Sequence, residues 1–298
     1  MKSVYTMAEL PELAAVQPVV RLGVIGNPIA HSISPPMQQA ALDADSRGVS
    51  YVRLLCDREE GAFPKLVARL ADSGFLGVNV TVPFKKQAYA MAGDADALSQ
   101  LCGAANTLVF KGGGIACHNT DGPGFERAVE ELSGKRLSEL RILLLGACGG
   151  AGSALAAQCV LSGCRGLTLV NRPRPELDLL AEKLRPLMRT GMLSTLAITS
   201  PELAEGVAGA DLIVNATSLG LAAGDALPLP PELLRGGQIV YDLITHDTPL
   251  RRAAAERGCL ADTGQSMLLW QGALAYQHWF GELPPMEPMR RALNAAGA

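Results

Sequence analysis

The 298-residue chain is long enough for two domains of ordinary size, and its 48% hydrophobic content can supply each with a packed core. A formal net charge of −3, spread along the chain, excludes a basic nucleic-acid surface, and no apolar run approaches the ~20 residues that span a bilayer. The seven cysteines form no CxxC pair and the first 18 residues hold no signal-like apolar run, so we expect free thiols in a cytoplasmic protein.

Strand-like and helix-like segments alternate along the first part of the chain. The predicted elements are strands at 19–26, 51–56 and 77–82 and helices at 36–45 and 60–73. Because parallel strands need a crossover connection, this alternation indicates βαβ units and a largely parallel sheet.

A second alternating series begins near Asp121 with a helix that runs to about Ser133. Strands are predicted at 141–146, 166–171, 211–217 and 238–243, and the chain is predicted to be helical from Ser266 onward. The sequence therefore predicts a second α/β domain.

A glycine cluster follows the strand at 141–146. Gly146, Gly149, Gly150 and Gly152 are spaced as GxxGGxG, with Cys148 where a GxGxxG loop has its second glycine. Such a loop brings the backbone and the N-terminus of the next helix against a pyrophosphate, so it predicts a dinucleotide site. The alternative is a tight turn that only serves close packing of the helix.

The next strand ends in a way that favours NADP over NAD. NAD-binding domains usually place an acidic residue there, which accepts a hydrogen bond from the 2′-hydroxyl of the ribose. Here Asn171 and Arg172 follow the strand, with Arg174 close behind. A guanidinium pairs with a 2′-phosphate, whereas a carboxylate repels it. The alternative is that Arg172 is a surface residue at the start of a helix.

Several short polar motifs are not explained by strand and helix patterning. They are GNPIAHSISPPM (26–37), NVTVPFK (79–85), GAANT (103–107), NTDG (119–122), NATSLG (215–220), YDL (241–243), TPL (248–250) and GQSMLLWQG (264–272). Each motif is weak alone, but this ordered set resembles the shikimate dehydrogenase family over nearly the whole chain after Pro18.

That resemblance implies a fold of two α/β domains with a cleft between them. Residues 1–120 would bind substrate and would be joined by C-terminal helices at 266–298, and residues 121–265 would form a Rossmann domain for the dinucleotide. The family resemblance is compatible with a monomer or a homodimer that acts on a small molecule.

The resemblance also implies roles for individual residues. Lys85 and Asp121 would be the catalytic pair. The substrate would be bound by Ser32 and Ser34 at its carboxylate and by Thr81, Asn106 and Gln271 at its ring hydroxyls. The dinucleotide would be bound by Gly146, Gly149, Gly150, Asn171, Arg172, Thr217, Ser218 and Leu243.

These residue types suit the chemistry. Oxidation of an alcohol requires removal of the hydroxyl proton as hydride leaves, and a lysine beside a carboxylate can do this. Each assignment has a simpler alternative. It is turn hydrogen bonding for Ser32 and Ser34, a solvated side chain for Lys85 and a helix N-cap for Asp121. For Thr81, Asn106 and Gln271 it is a satisfied buried polar group. Lys86 is the expected surface lysine.

The chain departs from the family at several positions. Thr245 stands where many members have a tyrosine that contacts substrate, and Glu176 stands near a second arginine of NADP-using members. Cys148, His118 and Ser266 replace other motif residues. These changes leave open a paralogue with a substrate or cofactor preference other than that of the biosynthetic enzyme.

The sequence thus predicts an oxidoreductase that reversibly reduces 3-dehydroshikimate to shikimate with NADP, with NAD possible, in the chorismate pathway to aromatic amino acids. The alternatives are an NAD-dependent quinate/shikimate dehydrogenase, a methylene-tetrahydrofolate dehydrogenase, and a non-catalytic regulator that binds a dinucleotide. No residue cluster predicts a metal site.

Overall fold

The computed structural model describes residues 4–296, so residues 1–3 and 297–298 of the predicted domains lie outside the described part of the chain. The chain divides into two compact units, Met1–Thr120 with Gln271–Ala298, and Asp121–Trp270. Each unit contains its own sheet. The predicted α/β fold, with a Rossmann-type second unit, is confirmed.

The first unit is built on a seven-stranded sheet. Its strands are β1 (Tyr5–Thr6), β2 (Val19–Gly26), β3 (Val49–Leu55), β4 (Gly77–Val80), β5 (Asp94–Ala95), β6 (Thr107–Lys111) and β7 (Gly114–His118). Their spatial order is β1-β3-β2-β4-β6-β7-β5. The pairings of β6 with β4 and with β7 are antiparallel, and the others are parallel.

Helices cover this sheet. They are α1 (Ser34–Ala44), α2 (Ala62–Asp72), α3 (Lys85–Ala90) and α4 (Ala97–Cys102), and a 3-10 helix spans Met7–Ala15. Helix α2 buries Phe63, Leu66, Val67 and Leu70, whose spacing places them on one face against the core. The predicted strand at 77–82 ends early, at Val80, because the chain turns: the Phe84 N–H donates to the Thr81 carbonyl at 3.0 Å.

The second unit is built on a six-stranded parallel sheet. Its strands are β8 (Arg141–Leu145), β9 (Gly166–Asn171), β10 (Leu193–Ala197), β11 (Leu212–Asn215), β12 (Ile239–Asp242) and β13 (Leu260–Thr263). The spatial order β10-β9-β8-β11-β12-β13 is the 3-2-1-4-5-6 order of a dinucleotide-binding fold. Strand order therefore reverses between β8 and β11, where such folds bind ligands.

Helices connect these strands and complete the chain. They are α5 (Asp121–Ser133), α6 (Gly150–Leu161), α7 (Pro175–Leu184), α8 (Leu203–Gly209), α9 (Pro249–Glu256), α10 (Gly264–Phe280) and α11 (Met286–Ala296). Leu143, Leu145, Val170, Ile213 and Val240 are buried at the centre of the second unit. Because its strands are covered by helices, they read as continuous apolar runs.

Candidate functional site

The HSIS segment lies in the loop before α1, and Ser34 is the first residue of that helix. The Ser34 N–H donates to Ser32 Oγ at 3.4 Å, which is the turn bonding that the sequence left open. Arg53 on β3 fixes the loop, since its Nε and Nη2 donate to the Ser32 carbonyl at 3.0 and 2.6 Å. The two serines therefore belong to a braced loop at the end of the sheet.

Thr81 directly follows β4, and Asn106 directly precedes β6, the antiparallel neighbour of β4. The Thr81 N–H donates to the Ile25 carbonyl at 2.9 Å, which extends the ladder between β4 and β2 by one residue. A Cβ on Gly26, at the end of β2, would lie 2.5 Å from Thr81 Cγ2. Glycine at position 26 therefore allows Thr81 to approach this strand end closely.

Asn106 lies at the centre of a buried polar cluster. Its Oδ1 accepts from the Thr120 N–H at 2.8 Å, and its Nδ2 lies 3.0 Å from Thr120 Oγ1 and 3.5 Å from Gln271 Oε1. Asn106, Thr120 and Gln271 are each less than a tenth exposed. Two residues that are 165 positions apart in the chain, Asn106 and Gln271, are thus brought together in the first unit.

Lys85 and Asp121 each begin a helix. Lys85 opens α3 in the first unit, and its carbonyl accepts from the Ala105 N–H at 2.9 Å. It is half-buried, whereas its neighbour Lys86 is exposed. Asp121 opens α5 in the second unit and is 9% exposed. Partial burial distinguishes Lys85 from the solvated surface lysine that was its simpler alternative, whereas the position of Asp121 at the start of α5 remains compatible with a helix N-cap.

The second unit has a pocket of about 450 Å³ at the reversal of strand order. It is lined by the predicted residues Gly146, Gly149, Asn171, Arg172, Thr217 and Ser218, and also by Leu145, Val170, Arg174, Ile198, Ala216, Leu219 and Pro228. Gly150 begins α6 and Leu243 follows β12, and neither contributes to this lining. Arg174 is a lining residue that was not among the predicted cofactor residues.

The glycine loop is tightly packed. Gly146 has φ of +79°, and a Cβ there would lie 2.8 Å from the Ala216 backbone. A Cβ on Gly152 would lie 2.3 Å from the Gly146 carbonyl oxygen. No atom other than hydrogen can occupy either position without moving the backbone. The loop therefore combines the close packing and the open helix N-terminus that a pyrophosphate needs.

Three charged side chains follow β9 at the edge of the pocket. Arg172 and Arg174 line it, and the Arg174 Nε pairs with Glu176 Oε2 at 3.1 Å. The backbone N–H of Glu176 and the Arg174 guanidinium lower the pKa of the Glu176 carboxyl below its usual range. Glu176 thus engages Arg174 rather than Arg172.

A buried carboxylate braces the other side of the pocket. Asp242 at the end of β12 accepts from Asn215 Nδ2 at 3.0 Å and from Thr248 Oγ1 at 2.7 Å. Asn215 Oδ1 in turn accepts from the Thr217 N–H at 3.1 Å and from its hydroxyl at 2.6 Å. Burial raises the pKa of Asp242, although these hydrogen bonds act in the opposite direction. The result is a fixed position for Thr217 at the pocket wall.

The structure also places the residues that depart from the family pattern. Thr245 is exposed, and Cys148 is partly exposed in the glycine loop. Ser266 Oγ lies 2.7 Å from the Tyr241 hydroxyl and donates to Asp262 at 2.6 Å. His118 ends β7, where its ring stacks on that of His278 with centroids 3.6 Å apart. His118 is therefore a packed residue of the first unit.

Residues 4–296 contain neither a membrane span nor a metal-binding cluster. None of the helices described over this range is long and apolar enough to cross a membrane. Within the same part of the chain, no group of three or more His, Cys, Asp or Glu side chains is arranged to hold a metal ion.

The second unit, with its strand order and its glycine turn after β8, defines a protein of the Rossmann class that binds a dinucleotide. Family models match the chain at both ends: the shikimate dehydrogenase substrate binding domain at residues 24–108 and the shikimate 5′-dehydrogenase C-terminal domain at residues 264–293. The chain belongs to the shikimate dehydrogenase family.

Individual relatives agree with this assignment. The chain is 39% identical over 280 residues to a shikimate dehydrogenase (NADP(+)) of Rubrobacter xylanophilus, covering 93% of this chain and 96% of the relative. The structure of a Thermus thermophilus shikimate 5-dehydrogenase in complex with NADP(H) and shikimate is similar at a TM-score of 0.79 and 34% identity, covering 93% and 99%. A quinate dehydrogenase of Corynebacterium glutamicum in complex with NAD has a TM-score of 0.83 and 27% identity, covering 93% and 99%.

Proposed function

We propose that this chain is an NADP-dependent shikimate dehydrogenase, which reversibly reduces 3-dehydroshikimate to shikimate in the route to aromatic amino acids. The observation that carries the proposal is the 39% identity, over nearly the full length of both chains, to a relative named for this activity. The first unit, residues 1–120 with the helices near the C-terminus, would bind the substrate. The second unit, from Asp121, would bind the dinucleotide.

Substrate recognition is assigned to the polar residues of the first unit. Ser32 and Ser34 offer hydroxyl donors in a loop that Arg53 holds in place, which suits a carboxylate. Thr81, Asn106 and Gln271 carry groups that donate and accept, as binding to several ring hydroxyls requires. The burial of Asn106 and Gln271 supports this role, because a desolvated site gains most from matched hydrogen bonds.

Proton transfer is assigned to Lys85 and Asp121. The bound nicotinamide supplies the chemistry of hydride transfer to or from the ring carbon. In the direction of oxidation the Lys85 amine takes the proton of the reacting hydroxyl, and in reduction the ammonium returns it to the developing oxyanion. Asp121 is the second general acid–base group of the proposed pair.

The preference for NADP is assigned to the pocket of the second unit. Gly146 and Gly149 form the loop for the pyrophosphate, with Gly150 at the start of α6. Arg172 and Arg174 supply two guanidinium groups at the wall where the adenosine ribose of a Rossmann fold lies. The remaining cofactor contacts are assigned to Asn171, Thr217, Ser218 and Leu243.

The alternative is an NAD-dependent quinate or shikimate dehydrogenase. Glu176 favours it, because a carboxylate close to the ribose end of the pocket repels a 2′-phosphate and competes for the Arg174 guanidinium. The fold similarity to a quinate dehydrogenase in complex with NAD is in keeping with that alternative.

Initial rates decide between these functions. Shikimate and quinate are each oxidised with NADP and with NAD, while dinucleotide reduction is followed by absorbance. The proposal expects the highest kcat/KM for shikimate with NADP. A higher value for quinate with NAD would establish the alternative. If no combination transfers hydride above the rate of a Lys85→Ala control, the chain is a binding protein and the proposal is refuted.

A further inference from the structure

A continuous chain of hydrogen bonds runs through the core of the first unit and ends at the residues assigned to substrate. Its members, here the buried polar network, are each less than a tenth exposed: Tyr51, Asn79, Thr107, Asn106, Thr120 and Gln271. Tyr51, Asn79 and Thr107 lie on β3, β4 and β6. Asn106 directly precedes β6, Thr120 follows β7, and Gln271 lies on α10. The network reaches from the middle of the sheet, where Tyr51 lies, to Asn106.

The backbone determines which way round the Asn79 amide lies. Asn79 Nδ2 lies 3.3 Å from the carbonyl oxygen of Asn106 and 3.1 Å from Thr107 Oγ1. A carbonyl oxygen can only accept, so the amide nitrogen of Asn79 must face Asn106. The amide oxygen of Asn79 must therefore face the Tyr51 hydroxyl, which lies 2.8 Å away.

Tyr51 is consequently the donor in this contact. Burial raises the pKa of the Tyr51 phenol well above its usual range, so the hydroxyl keeps its proton at neutral pH. The ring of Trp279 packs against the Tyr51 ring with centroids 6.2 Å apart, and the Trp279 Nε1 donates to the Leu108 carbonyl at 3.1 Å. Tyr51 is thus a permanent donor in a packed position.

The same reasoning extends to Asn106. The Thr120 N–H can only donate, so it fixes the Asn106 oxygen towards Thr120. Thr107 Oγ1 accepts from Asn79 Nδ2 and so donates its own proton to Asn106 Oδ1 at 3.2 Å. The oxygen of Asn106 thereby accepts from protein donors. Its nitrogen donates to Thr120 Oγ1 at 3.0 Å and lies 3.5 Å from Gln271 Oε1, so its second hydrogen faces the side of Gln271.

We propose that Tyr51 is a positioning residue which, through Asn79 and Thr107, reinforces the orientation that the Thr120 N–H gives the Asn106 amide, with its nitrogen towards bound substrate. This inference rests on the proposed function, since it takes Asn106 as a contact of a ring hydroxyl. It specifies the polarity of that contact: Asn106 donates, and the substrate oxygen accepts. Tyr51 itself does not touch substrate.

A Tyr51→Phe variant tests the proposal because it removes one hydroxyl and keeps the ring. Without that donor the Asn79 oxygen loses its partner, and the constraint on Thr107 and Asn106 is weakened. We expect KM for shikimate to rise about three- to tenfold, the effect of one net hydrogen bond, with kcat within about twofold and KM for the dinucleotide unchanged.

The matched control is Tyr276→Phe. Tyr276 is also fully buried in the first unit, and its hydroxyl donates to Asp45 Oδ2 at 2.5 Å. It shares helix α10 with Gln271, so the control includes any disturbance passed along that helix. The control removes a buried tyrosine hydrogen bond outside the network and is expected to leave KM for shikimate within about twofold. Equal KM values in Tyr51→Phe and Tyr276→Phe would overturn the proposal.

Thr107→Val breaks the network one link closer to Asn106 and is nearly isosteric. The proposal expects the same rise in KM, and a double variant no worse than Thr107→Val alone, because the two side chains act through one path. A Thr107→Val variant with the KM of wild type refutes the positioning role even if Tyr51→Phe fails to fold. Additive effects on log KM refute it as well.

Titration calorimetry with shikimate alone separates this proposal from the proposed function. A wild type that binds shikimate but transfers no hydride with either dinucleotide refutes the proposed function, and the dissociation constants of the variants still test Tyr51. An unchanged Kd in Tyr51→Phe overturns the positioning role. A wild type that does not bind shikimate refutes both.

Discussion

Two glycines in the same turn should respond in opposite ways to one added methyl group. At Gly152 a Cβ would lie 2.3 Å from the Gly146 carbonyl oxygen and 3.0 Å from the Ala147 Cα. Both neighbours are backbone, so relief requires the β8–α6 turn to move. At Gly150, the first residue of α6, no atom lies within 4 Å of the added carbon.

Gly152→Ala should therefore destabilise the protein by about 1–3 kcal/mol, the usual cost of overpacking a filled site. In a unit of this size that lowers Tm by roughly 2–12 °C. Gly150→Ala should leave Tm unchanged or slightly higher, because alanine reduces the freedom of the unfolded chain where the native backbone tolerates it. Thermal unfolding of the two variants beside wild type measures this difference.

The Kd of NADP for the Gly150→Ala variant tests where the pyrophosphate binds. If the pyrophosphate lies against this turn, the methyl group of Gly150→Ala obstructs it, and Kd for NADP should rise about tenfold although the fold is intact. Equal Tm values for both variants would show that the turn yields easily, which contradicts the packing argument. A Gly150→Ala variant that binds NADP as wild type does would place the pyrophosphate elsewhere.

Further predictions concern the assigned residues. Lys85→Ala should lower kcat by about 10²–10⁴-fold and leave the Kd of NADP within about twofold, and more than a third of the wild-type kcat would rule out its role in proton transfer. The double variant Ser32→Ala, Ser34→Ala should have a higher KM for shikimate without a comparable loss in kcat. If the wild-type enzyme uses the amide of shikimate as readily as the acid, these serines do not bind the carboxylate. Arg172→Ala should weaken NADP about ten- to a hundredfold and NAD little, as loss of a charge-assisted pair worth about 1.5–3 kcal/mol requires. Glu176→Gln should strengthen NADP binding, because the Arg174 guanidinium is released from its ion pair. If NADP and NAD bind equally well to wild type, and neither Arg172→Ala nor Glu176→Gln changes this, the adenosine ribose does not lie beside these residues.

Strand bounds were predictable from the sequence where an apolar run ends at a residue typical of turns. Strands β2 and β9 have the predicted bounds because each run stops at a glycine or an asparagine that the next turn uses. The hairpin of β6 and β7 was not predicted, since its strands are short and the Lys111–Gly114 turn interrupts the apolar pattern. Both strands are too short for the alternation of apolar and polar residues to distinguish them from a loop.

The site was predictable only in part, for a related reason. Asn106 and Gln271 stand in short polar motifs that the family resemblance identifies. Tyr51 lies inside an ordinary apolar strand, and nothing in that run marks its hydroxyl. Its partner Asn79 is reached across β2, where Leu22 pairs with Tyr51 on one side and with Gly77 on the other. Cross-strand register of this kind does not follow from the period of a single strand.

In both units, hydrogen bonds fix the orientation of a buried asparagine amide. In each unit a backbone N–H, which can only donate, faces the amide oxygen of the asparagine and so determines the direction of the amide nitrogen. Asn106 is fixed by the Thr120 N–H in the first unit, and in the second the Thr217 N–H fixes the oxygen of Asn215, which leaves its nitrogen for Asp242. An amide whose faces are interchangeable in isolation thereby acquires a defined polarity. Burial opposes the ionisation of Asp242, but the acceptor that Asp242 offers to Asn215 completes the hydrogen bonds that hold Thr217 at the pocket wall.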